Sequence, residues 1–339
     1  MKAFRITESG KFDFIDIPEP VMEADDILLD IHYVGLCGSD LSIYRGRMPM
    51  MEYPRIPGHE ISGVILDKGD RVQSLQIGDK VMVSPYTHCG VCPACRIGRF
   101  NTCEFNQTYG VQRDGALTQR IALSYKKVYK SDTLTLKELA LTEPLSVGYH
   151  AANRGSVSET DMVLIFGVGA IGMGALAACL RKGATVVVAD IDDAKLQHAE
   201  KMGAHHIINS TKDDLAAFIA ELTGNRGVTV AIEAAGNPVS FRQAVELVCY
   251  AGRVVYIGYT KTEVEFESKL VVRKELNIMG SRNALHVFPS VIKMLEKREL
   301  PFDSLITKVY PFEQTGKAFM DWDSDPGSVT KLMIDMKKK

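Results

Sequence analysis

Between residues 162 and 280, six short runs rich in β-branched and apolar residues alternate with amphipathic segments of helix length, and this rhythm limits the fold more than any other feature of the chain. The runs are 162–166, 185–189, 206–208, 228–234, 253–257 and 277–280, and the helical stretches between the first five include 194–202, 215–222 and 241–249. Strand and helix in turn make βαβ units, whose right-handed crossovers set the strands parallel with helices on both faces. The expectation is an α/β fold with a doubly wound, parallel, six-stranded sheet.

The first run passes directly into Gly167, Val168, Gly169, Ala170, Ile171 and Gly172 before helix pattern resumes. A strand that enters a glycine-rich turn and leaves as a helix offers backbone amides to a pyrophosphate. Asp190 closes the next run, 18 residues after Gly172, where a carboxylate accepts hydrogen bonds from an adenosine ribose. That partner favours dinucleotide binding over a tight turn of structural use alone. Asp190, Asp192 and Asp193 would oppose a 2′-phosphate, so NAD is favoured over NADP. Lys195 reads either as a flexible amine reaching the adenosine or as an exposed helix residue. Residues 162–180 carry no charge over 19 positions, enough to span a bilayer, but the strand, turn and helix account for them without a membrane.

Ahead of residue 143 the pattern is different: short alternating runs such as 27–34, 61–66 and 80–83, broken by Gly and Pro, read as an all-β region with long loops. After residue 284 come a helical stretch at 287–298 and an apolar run at 331–336. A length of 339 residues suits about two domains, and 46% apolar residues can fill their cores. With 40 basic against 42 acidic residues, no surplus of positive charge points to nucleic acid or to anionic lipid. Lys2, Arg5, Glu8, Lys11, Asp13 and Asp16 interrupt any secretory apolar stretch, so the cytoplasm is the expected compartment.

Seven cysteines stand at 37, 89, 92, 95, 103, 179 and 249. Cys89, Cys92, Cys95 and Cys103 are separated by two, two and seven residues, a spacing that lets four thiolates surround one zinc with no open position. Such a zinc would be structural; an iron–sulfur site or a cluster of core thiols is the competing reading. Cys179 and Cys249 fall on helical stretches and read as core. Cys37, His59 and Glu60 supply the ligand types of an open, catalytic zinc, but locally a hydrogen-bonded core histidine and a buried thiol explain Cys37 and His59 equally well.

Taken together, these residues resemble the zinc-containing medium-chain alcohol dehydrogenase family over essentially the whole chain. Gly58, His59 and Glu60 followed by Gly63, Gly69 and Val72 match its zinc signature, and the cysteine loop and nucleotide turn follow in its order. Cys37 to Asp40 and Glu143 to Gly148 look like the sorbitol dehydrogenase-like branch, and Gly280 to Ala284 looks like bacterial hexonate dehydrogenases of the L-galactonate kind. The resemblance implies a GroES-like domain carrying both zincs (1–145), a Rossmann domain (146–283) and a C-terminal segment returning to the first (284–339), with the active site in the cleft. It makes Cys37 and His59 catalytic zinc ligands, with Glu60 and Glu143 the two carboxylates that bind directly or through water. It makes Ile171, Asp190 and Lys195 nucleotide contacts, and places Ile257, Gly258, Ser281 and Arg282 near the nicotinamide. Ser39 matches the hydroxyl that receives the substrate proton. Many relatives carry a histidine where this chain has Ser42, so water or the cofactor ribose would complete the proton route.

The implied reaction is oxidation of a secondary alcohol of a polyhydroxylated small molecule, a sugar acid slightly ahead of a neutral polyol, with hydride passing to NAD. The resemblance places Arg45, Arg47, Arg113, Arg282 and Asn283 on loops near the cleft, where an arginine could pair with a sugar-acid carboxylate; solvated surface arginines, with Arg282 serving the cofactor, are the competing reading. Threonine-type or simple alcohol dehydrogenases are alternatives within the class, and a non-catalytic NAD-binding regulator or a thiol switch are alternatives outside it. A homodimer or homotetramer is expected.

Overall fold

Burial sets the first strands: consecutive Ala3 and Phe4, and Ile6, are fully buried in β1 (Lys2–Glu8), and Ile27, Leu29 and Ile31 alternate as fully buried residues in β3 (Asp26–Leu36). Between them lies β2 (Lys11–Asp16), antiparallel to β1, and after them come β4 (Glu60–Lys68), β5 (Lys80–Val83), β6 (Arg120–Ser124) and β7 (Val128–Lys130). The computed structural model describes residues 1–48 and 51–338. Its chain forms two units, Met1–Glu143 with Phe288–Lys339, and Pro144–Val287.

The second unit holds β8 (Met162–Phe166), β9 (Thr185–Asp190), β10 (His206–Asn209), β11 (Val228–Glu233), β12 (Val248–Tyr256) and β13 (Asn277–Gly280). All pair in parallel in the order β10-β9-β8-β11-β12-β13, a doubly wound sheet whose order reverses beside β8. The charge-free stretch is thus a strand, a turn and the helix Ala170–Arg181, and among the described residues no helix is long and apolar enough to cross a membrane.

The chain then returns to the first unit with the helix Phe288–Glu296, β14 (Ile306–Pro311), the helix Thr315–Ser324 and β15 (Lys331–Asp335). There β15 pairs antiparallel with β3, Leu332 opposite Leu36, extending a sheet ordered β14-β15-β3-β4-β5-β7, with β6 also on β3. One core joins both ends of the chain: Phe319 stacks on Phe4 and Tyr44, and Trp322, Leu332 and Ile334 belong to the same apolar cluster.

Three sequence expectations change. The region before residue 143 is not all-β, because the helices Gly38–Tyr44 and Leu136–Arg154 lie wholly or partly within it. The second begins at a capping box in which Thr135 Oγ1 accepts from Glu138 N and Glu138 Oε2 from Thr135 N, and it runs through Pro144. Cys249 is half-buried in β12, not in a core helix. The helix Pro238–Glu246 starts early, at a proline capped by Asn237, and is spent before Cys249.

Candidate functional site

Cys37 and His59 are 22 residues apart in the chain, and strand register brings them together. In the β3–β4 ladder Gly35 lies opposite Glu60, so the residues just after β3 and just before β4 meet at one end of the sheet. Glycine at 35 leaves room for the carboxylate: a Cβ there would lie 2.0 Å from Glu60 Oε2 and push it from its place. The Cys37 sulfur, one His59 ring nitrogen and one Glu60 oxygen all lie within 4.8 Å of one another.

Asp40, which sequence reading did not single out, ties this geometry. It is fully buried; Oδ2 accepts from Cys37 N at 2.8 Å and Oδ1 from Gly58 N at 3.2 Å, with His59 Nδ1 at 3.7 Å. Glu143, in the helix Leu136–Arg154, accepts from the buried Tyr86 hydroxyl and stands outside the three-ligand group. Lys331, from β15, donates to Glu60 Oε1 at 2.6 Å and to Leu36 O at 3.0 Å. Burial works against the charge of His59, yet Asp40, Cys37 and Glu143 hold its pKa well above the ordinary value. Burial and the neighbouring Glu60 charge raise that of Glu143.

This donor set fits a divalent cation. Thiol, imidazole and carboxylate converge, acidic groups outnumber cationic ones, and Glu60 Oε2 is buried without a hydrogen-bond partner. Ser39 is half-exposed on the helix Gly38–Tyr44, and Ser42 Oγ donates to Gly38 O at 2.8 Å.

The four-cysteine loop makes a second group with all sulfurs within 4.8 Å. Cys92 Sγ lies 3.9 Å from Cys103 Sγ, close to the ~3.8 Å edge of a tetrahedron with ~2.3 Å metal–sulfur arms and far beyond a disulfide of ~2.05 Å. Backbone N–H groups of Cys89 and Cys92 point at the sulfurs of Cys103 and Cys89, each at 3.3 Å, as suits thiolates.

In the second unit, Gly167 adopts φ +83°, and Gly172 packs so close that a Cβ would lie 1.9 Å from Gly167 O. Gly169 caps the helix Ala170–Arg181 with no side chain over its N-terminus, while Ile171 is half-buried in its first turn. Asp190 Oδ2 accepts from Val168 N at 2.8 Å and Oδ1 from Ile191 N and Asp192 N. Asp192 instead caps the next helix by accepting from Lys195 N, and Asp193 is engaged by Lys212 and Asn209, so Asp190 alone of the three lies against the glycine turn. Ile257 and Gly258 follow β12, and Ser281 and Arg282 follow β13, at the same carboxyl edge. Of the residues considered for a substrate carboxylate, Arg45 is paired with Asp323, Arg113 lies 3.6 Å over the Tyr109 ring, Arg47 is exposed, and Arg282 and Asn283 belong to the second unit.

Comparison with known proteins agrees with this chemistry. Residues 23–133 match the alcohol dehydrogenase GroES-like domain and residues 170–297 the zinc-binding dehydrogenase family. Sorbitol dehydrogenase of Bacillus subtilis strain 168 is 36% identical over 94% of this chain and 92% of its own. L-galactonate-5-dehydrogenase of Escherichia coli K12 is 32% identical over 88% of each. The crystal structure of RspB, called a short chain alcohol dehydrogenase, from Escherichia coli CFT073 with NADH superimposes with a TM-score of 0.92, at 31% identity and 99% coverage of both chains. With a GroES-like unit that gathers thiol, imidazole and carboxylate, and a Rossmann unit with an open glycine turn, the chain belongs to the zinc-type medium-chain alcohol dehydrogenase family.

Proposed function

We propose that this enzyme oxidises a secondary alcohol of a sugar acid or polyol and passes hydride to NAD. The observation that carries the reading is the convergence of Cys37, His59 and Glu60 with a buried, unpartnered carboxylate oxygen. These three would hold the catalytic zinc, with Glu143 beside them as a second carboxylate, and Cys89, Cys92, Cys95 and Cys103 would hold the structural one. When bound, zinc supplies Lewis acidity, which makes an alcohol proton removable near neutral pH without a strong base. Ser39 accepts that proton: among the described residues its hydroxyl has no hydrogen-bond partner and is free to take one. Ser42, whose hydroxyl is spent on Gly38 O, does not relay it further, so the proton leaves by water or the cofactor ribose.

Gly167 to Gly172 and the open helix N-terminus receive the pyrophosphate, Asp190 and Lys195 the adenosine ribose, and Ile257, Gly258, Ser281 and Arg282 the nicotinamide end. The Asp190 carboxylate, beside the turn, disfavours a 2′-phosphate and supports NAD, as does the NADH held by the solved relative. The sorbitol and L-galactonate relatives support a polyhydroxylated substrate. The outer edge of β13 is unpaired among the described residues, which supports assembly into a dimer or tetramer. The cytoplasm is the proposed compartment.

A panel of hexonates, hexitols and short alcohols, each with NAD and NADP and followed by reduced cofactor, tests this reading. Turnover of a hexonate or hexitol with NAD is expected, and a clear preference for short neutral alcohols would overturn the substrate assignment.

A further inference from the structure

We propose that Lys331 is the positioning residue of the metal centre: it fixes Glu60 by one oxygen so that the other is presented to the cation. The inference rests on the reading of Cys37, His59 and Glu60 as ligands. Lys331 opens β15 and is only 3% exposed, yet an ammonium is among the groups least tolerated inside a protein unless paired. Here it is paired twice. One N–H meets Glu60 Oε1 at 2.6 Å and another meets Leu36 O at 3.0 Å. Leu36 precedes Cys37 and Glu60 follows His59, so a single side chain ties together the two stretches that carry the ligands.

Glu60 Oε1 is therefore occupied while Oε2, equally buried, has no partner. A carboxylate held in this way has lost its rotational freedom before any cation arrives. Its negative charge is also balanced, which an unpaired buried carboxylate would not tolerate. Glu143 is held separately, through Tyr86, so each of the two glutamates has its own anchor. An ordinary buried ion pair would stabilise the fold without regard to the metal. The additional bond to the carbonyl ahead of Cys37 gives Lys331 a second purpose, since it sets the spacing of ligands from two strands.

The test compares wild-type holoenzyme with K331M and K331R, by competition of bound zinc against a chelator and by the visible absorption of the cobalt-substituted protein. Loss of an outer partner of a metal ligand costs about 10–100-fold in affinity. K331M is expected to lose that much at the Cys37 centre and to change the cobalt bands, while the four-cysteine centre keeps its ion; K331R, which can still donate to both acceptors, recovers most of the affinity. If K331M does not fold, K331Q, which removes the charge but keeps a donor, carries the same expectation. In an E60Q background K331M should cost less than in the wild type, because only the tie to Leu36 O remains to be lost. Unchanged affinity and cobalt bands in K331M, or equal loss at both centres, would overturn the positioning role. A wild-type protein that binds only one equivalent of metal would instead overturn the metal reading on which the role depends.

Discussion

Removing the Asp40 carboxylate tests how the two ligand-bearing loops are held. In D40A the amides of Cys37 and Gly58 lose their buried acceptor, and each orphaned group costs about 1–3 kcal/mol, so the unit should lose about 2–6 kcal/mol. D40N keeps one acceptor oxygen and should lose about half as much, because its amide nitrogen cannot serve the second N–H. Trp322 is the only tryptophan and sits in the core of the same unit, so its fluorescence during urea unfolding of zinc-free protein reads this loss directly. With a slope of about 2–3 kcal/mol per molar urea, the midpoint for D40A should fall by about 0.7–3 M. Zinc affinity at the Cys37 centre should fall as well, about 10–100-fold. If D40A unfolds at the wild-type midpoint, the carboxylate is not what joins the loops.

Other changes follow from the same geometry. With both proposed centres loaded in the wild type, C103S should lower the zinc content by one ion per chain and expose the 89–103 loop to protease, leaving the Cys37 centre loaded; elemental analysis and limited proteolysis check both. In the second unit burial would raise the Asp161 pKa, but hydrogen bonds from Thr229 and Ser158 and the charge of Arg253 lower it below the ordinary 3.8. Its stabilisation is therefore present above the unfolded value and lost as pH falls through the lower folded one. Urea midpoints between about pH 2 and 6 should show that acid-side loss in the wild type and a flatter profile in D161N. D190S should raise the ratio of kcat/KM for NADP over NAD by about tenfold, worth ~1.4 kcal/mol, while also weakening NAD through the amides that Asp190 now holds.

The second unit was readable because its strands are short apolar blocks separated by helices with one apolar face. Residues 162–166 and 277–280 coincide with β8 and β13, and the glycine turn sits where strand becomes helix. The helix Leu136–Arg154 is hard to read from sequence because a proline, Pro144, lies inside it and because it is buried on most sides, which blurs any periodic pattern. Its capping box at Thr135 and Glu138 was the available signal. Asp40 carried a comparable hint, lying three residues after Cys37 where a side chain can turn back onto a backbone N–H. Lys331 carried none. It is 271 residues from Glu60, and a lysine heading an apolar strand reads as a solvated end until tertiary pairing turns it inward.

The seating of β15 against β3 also orders events in time. A ribosome must translate about 295 further residues after Leu36 before the ammonium that meets its carbonyl exists, so Cys37 and His59 spend nearly all of synthesis without it. A nascent chain caught at that stage should capture zinc poorly at this centre, whereas the cysteine loop, complete by residue 103, can load early.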